Sequence, residues 1–267
     1  MSTEVTNVTN VAAEPEPEAV IEFVDVHKTF GTQKVLDGLS MTIPRGKVTC
    51  VIGRSGTGKS VTLKHIMGLL KPDRGEVLVD GRDVVKMKER ELYQMRQRFG
   101  FLFQEAALFD SMTVLENVAF PLREHTNKRR AEIEEIVRKK LKIVGLSAAE
   151  HKFPSQLSGG MRKRVGLARA IALDPEFILF DEPTSGLDPV VTDAIDQMIL
   201  STQEQLHVTM VVITHDIGSM FKVADKIIML HGGRQCAAGT RDEIRNSADP
   251  MVQQFLQGRS DGPMKVQ

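Results

Sequence analysis

The sequence holds only two cysteines among its 267 residues, Cys50 and Cys236. Two thiols so far apart make neither a disulfide framework nor a metal site, and they fit a reducing compartment. Cys50 lies in an apolar, strand-like run and reads as a buried structural thiol. No apolar run approaches the ~20 residues needed to span a bilayer, so work at a membrane requires spanning helices from another chain. Excess charge is lacking as well. The 35 Lys and Arg residues balance 35 Asp and Glu residues, which removes any general pull toward nucleic acid or anionic lipid. No internal repeat is present. Residues 1–20 are acidic and threonine-rich, with Glu14-Pro15-Glu16-Pro17-Glu18, and predict a disordered tail rather than a secretory signal.

What is there suits a globular protein, with 41% hydrophobic and 26% charged residues. Strands are expected at Ile21–Val26, Val35–Ile43 and Glu76–Asp80, short and partly alternating. Val48–Ile52 is apolar throughout, as in a strand covered on both faces, and a helix is expected from Lys59 to Leu70. The middle, roughly 84–150, is charged and helix-favouring and reads as a helical insertion. Its second stretch, Lys128–Val144, turns Ile133, Ile136, Val137 and Leu141 inward. Thereafter helices at Ser158–Leu173 and Pro189–Leu206 alternate with strands at Phe177–Phe180, Val208–Thr214 and Lys226–His231. That order implies parallel βαβ units in a doubly wound α/β sheet.

Gly53-Arg54-Ser55-Gly56-Thr57-Gly58-Lys59-Ser60 matches the P-loop pattern G-x-x-x-x-G-K-[ST] between a buried strand and a helix. Glycines let the backbone fold into a nest of N–H groups around phosphate oxygens, and the helix adds its positive end. Lys59 is placed to reach the β and γ phosphates of a nucleoside triphosphate, and Ser60 to ligate Mg²⁺. Asp181 and Glu182 close the apolar run Phe177–Phe180, where open α/β sheets hold ligands. Asp181 suits Mg²⁺ and Glu182 suits an attacking water. Ser158-Gly159-Gly160 opens a helix; Ser158 is a good N-cap, but two successive glycines point to a close backbone approach at a second anion site.

P-loop, Leu157-Ser158-Gly159-Gly160 and an apolar strand ending in Asp181-Glu182 together resemble the ATP-binding cassette ATPases over about residues 21–240. The resemblance implies a P-loop NTPase core with an N-terminal antiparallel β subdomain and an inserted helical subdomain at about 105–172, within an ATPase domain at 21–245. A C-terminal helix and extension follow at 246–267. It implies that Phe30 stacks on adenine, that Gln104 contacts Mg²⁺ and the water, that Ser185-Gly186-Leu187-Asp188 is a D-loop, and that His215 reaches the γ phosphate. It also implies a head-to-tail homodimer in which Ser158, Gly159 and Gly160 of one subunit close over ATP held by Lys59 of the other. Met161 replaces the usual glutamine, and Val61 stands where a second hydroxyl usually follows Ser60, which leaves the α phosphate to the backbone nest.

Within that family the chain is most similar to the Mla-type ATPases, which energise phospholipid movement between Gram-negative membranes. Phe103-Gln104-Glu105-Ala106-Ala107-Leu108-Phe109, Asn117–His125, and the tail Asp249–Gly258 with Asp261-Gly262-Pro263 carry this likeness. It implies an integral-membrane permease, a membrane-anchored MCE-type lipid carrier, a small STAS-domain protein, no nucleic acid, and a place on the cytoplasmic face of the inner membrane. An importer ATPase for amino acids or another small solute shares every catalytic motif, so segment 103–125 and the tail discriminate. Leu108, Phe109, Met112 and Val114 are expected in a loop, either as a satellite core or as a groove for a permease helix. On the terminal helix Met251, Val252, Phe255 and Leu256 form an apolar stripe, with Gln253, Gln254 and Gln257 facing elsewhere and an extended polar segment from Arg259.

Overall fold

The computed structural model describes residues 18–264; almost all of the expected N-terminal tail lies outside them. The chain runs β1 (Ala19–Phe30), β2 (Gln33–Pro44), β3 (Val48–Ile52), α1 (Lys59–Ile66), β4 (Arg74–Val79), β5 (Arg82–Asp83), α2 (Glu89–Arg96) and β6 (Phe99–Leu102). It continues through α3 (Val114–His125), α4 (Arg130–Ile143), α5 (Gly159–Ala170), β7 (Phe177–Asp181), α6 (Pro189–Leu206) and β8 (Thr209–Ile213). It ends with α7 (Ile217–Val223), β9 (Lys226–His231), β10 (Arg234–Gly239), α8 (Arg241–Arg245) and α9 (Pro250–Gln257).

Two sheets form. Strands β2-β1-β4-β5 make an antiparallel sheet, and β10-β9-β3-β8-β7-β6 make a second sheet that is parallel except at its β10 edge. All five residues of β3 and all five of β8 are buried, as their unbroken apolar or threonine runs require of strands covered on both faces. Cys50 pairs with Val212 across them and is fully buried. One core cluster lies under α3 to α6; the other joins the antiparallel sheet to α1 and the opposite face of the parallel sheet.

The bounds of β3, α6 and β9 agree with the sequence reading. Others differ for physical reasons. The expected helix 59–70 stops at Ile66, because Gly68 turns the chain at φ +61° and a Cβ there would meet Leu92 and Val84 at 2.8 and 2.9 Å. Segment 103–125 is not all loop. Thr113 and Glu116 form a reciprocal cap, and α3 then runs across Pro121 to His125. Val114 is therefore core, fully buried at the first turn of that helix. Gln254 does not face outward with its neighbours. It is buried on α9, accepts from the Met264 amide (2.7 Å) and donates to the Met264 carbonyl (3.0 Å). The segment after Gly258 consequently folds back on α9 and buries Met264 locally.

Candidate nucleotide-hydrolysing site

A cavity of about 780 Å³ opens at the carboxyl ends of β3 and β7, where an open α/β sheet places its ligand. Phe30 lines one side, the loop from Gly53 to Lys59 the floor, and Gln104, Glu182 and His215 the other side; Ser60 and Val61 also face it.

The loop exists because β3 ends against β9. A Cβ on Gly53 (φ +147°) would lie 2.5 Å from the Leu230 carbonyl oxygen, so the strand can turn away there only as glycine. Gly58 caps α1 in the left-handed region with no side-chain capping bond, and the first amides of the helix face the cavity mouth as an anion site. Thr57 donates to the Arg54 carbonyl (2.9 Å) and tightens the loop; Ser55 and Gly56 form its crest. The Lys59 ammonium is buried and donates to the carbonyls of Gly53 (2.8 Å) and Arg54 (2.9 Å). Burial pulls its pKa down, while the Glu182 and Asp181 carboxylates oppose that pull.

Ser60 Oγ donates to Asp181 Oδ1 at 2.9 Å, so the start of α1 and the end of β7 meet through two hard oxygens. The next residue, Glu182, sits at φ +53°, a left-handed backbone that costs a non-glycine residue about 1–3 kcal/mol. Its amide donates to the Ile213 carbonyl (2.9 Å), which fixes the turn, and its carboxylate lies 2.5 Å from His215 Nδ1. Gln104 reaches Ser185 Oγ at 3.4 Å. Phe30 is 43% exposed, a flat ring presented to the cavity with Lys28 Nζ 5.6 Å from its centroid.

Ser158, Gly159 and Gly160 do not line this cavity. Ser158 Oγ caps α5 by accepting from the Met161 amide at 3.3 Å. Gly160 has a reason within its own chain: a Cβ there would sit 2.5 Å from Val191 Cγ1 at the start of α6. Three features escape the sequence reading. Ile217, Phe255 and Gly258 bring the start of α7 and the end of α9 into the cavity wall. Asn117, fully buried, stitches the loop before α3 by pairing with the Phe109 amide (2.8 Å) and with the carbonyls of Phe109, Met112 and Thr113. Lys163 is buried on α5 although Arg162 and Arg164 flank it in sequence, and no local pattern marks it out from them.

Fold and cavity define a P-loop nucleoside triphosphatase of cassette type. The ABC transporter family pattern matches residues 36–185, and the chain belongs to that family: it is an ABC ATPase that binds ATP. It is 48% identical over 244 residues to the probable ribonucleotide transport ATP-binding protein mkl of Mycobacterium tuberculosis, covering 91% of this chain and 68% of that one. It is 44% identical over 246 residues to the intermembrane phospholipid transport system ATP-binding protein MlaF of Haemophilus influenzae, covering 92% and 93%. Among solved structures, cbiO1 from Clostridium perfringens, part of the ABC transporter complex cbiONQ, superposes with a TM-score of 0.79 at 28% identity over 86% and 91% of the chains. The ATP-binding cassette MJ0796, solved as a dimer in a post-hydrolysis state with ADP and Pi, gives 0.76 at 32% over 83% and 98%.

Proposed function

We propose that this chain is the ATP-hydrolysing subunit of a transporter that moves phospholipids between the inner and outer membranes of a Gram-negative bacterium. The observation that carries this reading is the 44% identity to MlaF over nearly the full length of both chains. The chain sits on the cytoplasmic face of the inner membrane and works as a homodimer. Its partners are an integral-membrane permease, an MCE-type lipid carrier and a STAS-domain protein. No helix among the described residues is long and apolar enough to cross a membrane, so the reading needs that permease.

The site supports a division of labour. Phe30 stacks on adenine. The amides of residues 53–60 and the Lys59 ammonium hold the phosphates, and Val61 adds no hydroxyl. Ser60, Asp181 and Gln104 offer only hard oxygens and suit Mg²⁺, which neutralises phosphate charge when bound. Glu182 accepts a proton from the attacking water, and His215 fixes that carboxylate while facing the γ phosphate. Ser158, Gly159 and Gly160 complete the partner's site, which explains why they stand outside the cavity of their own chain. Helices α3, α4 and α5 form the helical subdomain. It carries a second cavity of about 300 Å³ lined by Phe101, Phe103, Phe109, Phe120, Pro121 and Leu173, with Phe103 and Phe109 45% and 41% exposed. Such an apolar groove fits a short permease helix.

The 48% identity to mkl favours a second reading, import of a small solute such as a ribonucleotide. Reconstitution of the affinity-purified complex separates the two. ATP-dependent transfer of fluorescent phospholipid between vesicles is expected. ATPase stimulation by ribonucleotides with no lipid transfer selects the second reading.

A further inference from the structure

Lys163 lies five residues beyond Ser158 on α5, roughly 7.5 Å along the helix axis. Its ammonium is buried, 5% exposed, and the groups it meets belong to two other elements. It donates to the backbone carbonyl of Gln104 and, at 3.4 Å, to that of Glu182. One turn and a half further on, Arg169 donates to the carbonyls of Ala106 (2.6 Å) and Ala107 (2.7 Å). Helix α5 thus holds the loop after β6 at three carbonyls, those of Gln104, Ala106 and Ala107. Close packing makes this a stiff unit. A Cβ on Gly166 would lie 2.5 Å from Leu102 Cδ1, and one on Gly100 would lie 2.4 Å from the Ala170 carbonyl oxygen.

A buried ammonium is retained only where its hydrogen bonds are met, and burial presses the Lys163 pKa down against the opposing carboxylates of Glu105, Glu182 and Asp181. A lysine at this place therefore needs both acceptors, and a displacement of α5 along its axis changes the Gln104 and Glu182 backbones together.

We infer that Lys163 is a positioning residue joining the helix that begins at Ser158 to the two backbone segments that present Gln104 and Glu182 in the same chain. The inference rests on the homodimer reading above, in which Ser158 closes over the partner's ATP. On that basis one protomer's Lys163 links the two ATP sites: closure at the partner's site seats α5, and α5 seats the Glu182 carboxylate of its own site. Lys163 does not line the nucleotide cavity, so it acts on turnover and on cooperativity and leaves nucleotide affinity alone.

The test uses the full-length chain in the transporter complex purified with its permease, with ATP as the probe. Lys163→Met keeps the length and apolar packing of the side chain without the charge; Lys163→Arg keeps a cation. For Lys163→Met the expected result is a roughly 10- to 100-fold fall in kcat, the scale of misplacing a reacting group. The Hill coefficient for ATP should fall toward one, with KM and fluorescent-ATP binding unchanged, and Lys163→Arg should recover a substantial part of both losses. A Lys163→Met complex with normal kcat and Hill coefficient overturns the inference. So do equal losses in both variants accompanied by a lowered Tm and lost nucleotide binding, which make the lysine a folding residue only. Glu182→Gln serves as the reference: if it still hydrolyses ATP, the reading of the site fails, and if it is inactive while Lys163→Met is normal, the inference alone fails.

Discussion

Glu182 Oε2 and His215 Nδ1 lie 2.5 Å apart across the ends of β7 and β8, and the Glu182 amide donates to Ile213 two residues before the histidine. One turn thus fixes both the carboxylate and the ring that orients it. Glu182→Gln keeps the size of the side chain and leaves the phosphate loop untouched, so ATP binding should persist while hydrolysis in the purified complex falls by about 100-fold or more. The variant should accumulate as an ATP-bound dimer in size-exclusion chromatography. Near-normal turnover shows that another group accepts the proton.

Sharing of ATP between subunits is open to a mixing experiment. Lys59→Ala removes a buried cation that also holds the carbonyls of Gly53 and Arg54, so nucleotide affinity should drop. Ser158→Arg puts bulk and charge at the start of α5 and should block closure without loss of ATP binding. A mixed dimer carrying one of each retains one intact composite site, and ATP-induced dimerisation of the mixture should exceed that of either variant alone. Equal dimerisation in all three samples argues against a shared site.

Phe109 is the exposed end of an aromatic pair with Phe120, ring centroids 4.8 Å apart, on a loop held by Asn117. Phe109→Asp should therefore cut co-purification of the permease severalfold and shift the melting temperature of the isolated subunit little. The reverse pattern, a large loss of Tm with normal pull-down, makes the residue part of a local core.

Asp196 on α6 is buried and accepts from Ser219 Oγ on α7 at 2.9 Å. Burial pushes its pKa from 3.8 up to about 6, against the weaker pull of the Ser219 hydrogen bond. Because the folded pKa lies above the unfolded one, the protonated form stabilises the fold below pH ~4, and that stabilisation is lost as pH rises through about 6. Asp196→Asn keeps a neutral acceptor for Ser219, so its Tm should exceed that of the unaltered protein at pH 7.5 and match it near pH 4. A lower Tm at pH 7.5 shows that the ionised carboxylate has a stabilising partner.

The C-terminal segment gives a further prediction. Gln254 binds Met264 through both its amide atoms, and a Cβ on Gly262 would lie 2.5 Å from the Gln254 side chain. The hook is therefore a local structure rather than an extended end. Truncation after Gly258 should leave the subunit folded and able to bind ATP, and should weaken the nucleotide-free assembly, as read by melting, ATP binding and complex purification. Full assembly and turnover by the truncated chain leave the segment with its local contacts to α9 only.

The parts of this fold that were legible in the sequence are those whose residue pattern has one physical solution. Val48–Ile52 is apolar but for Thr49, Pro189 follows the Asp188 cap at the start of α6, and the glycine spacing of 53–58 permits a nest and little else. Strand β10 was not read, because Arg234-Gln235-Cys236-Ala237-Ala238-Gly239 offers few branched or aromatic side chains and gains its pairing from β9. Helix α7 is too short for periodicity to show. Pro121 masked α3, whose cap at Thr113 and buried Val114, Val118 and Leu122 outweigh one missing amide. Gln254 and Lys163 are polar residues whose partners lie far along the fold or on another element, and composition assigns such residues to the surface. The convergence of Phe255 and Gly258 on the nucleotide cavity depends on how α9 docks, which no local pattern encodes.

On the proposed catalytic role of Glu182, its left-handed backbone sets chemistry against folding at a single position. Glycine adopts φ near +53° without a Cβ penalty, so Glu182→Gly should relax the turn between β7 and Thr184 while removing the carboxylate. A chain selected for thermal endurance alone drifts toward glycine here, and a chain selected for turnover keeps the glutamate. Ranking natural or laboratory variants at position 182 by melting point and by hydrolysis should therefore give opposite orders at the glycine end, a direct reading of the tension between durability and work in this enzyme.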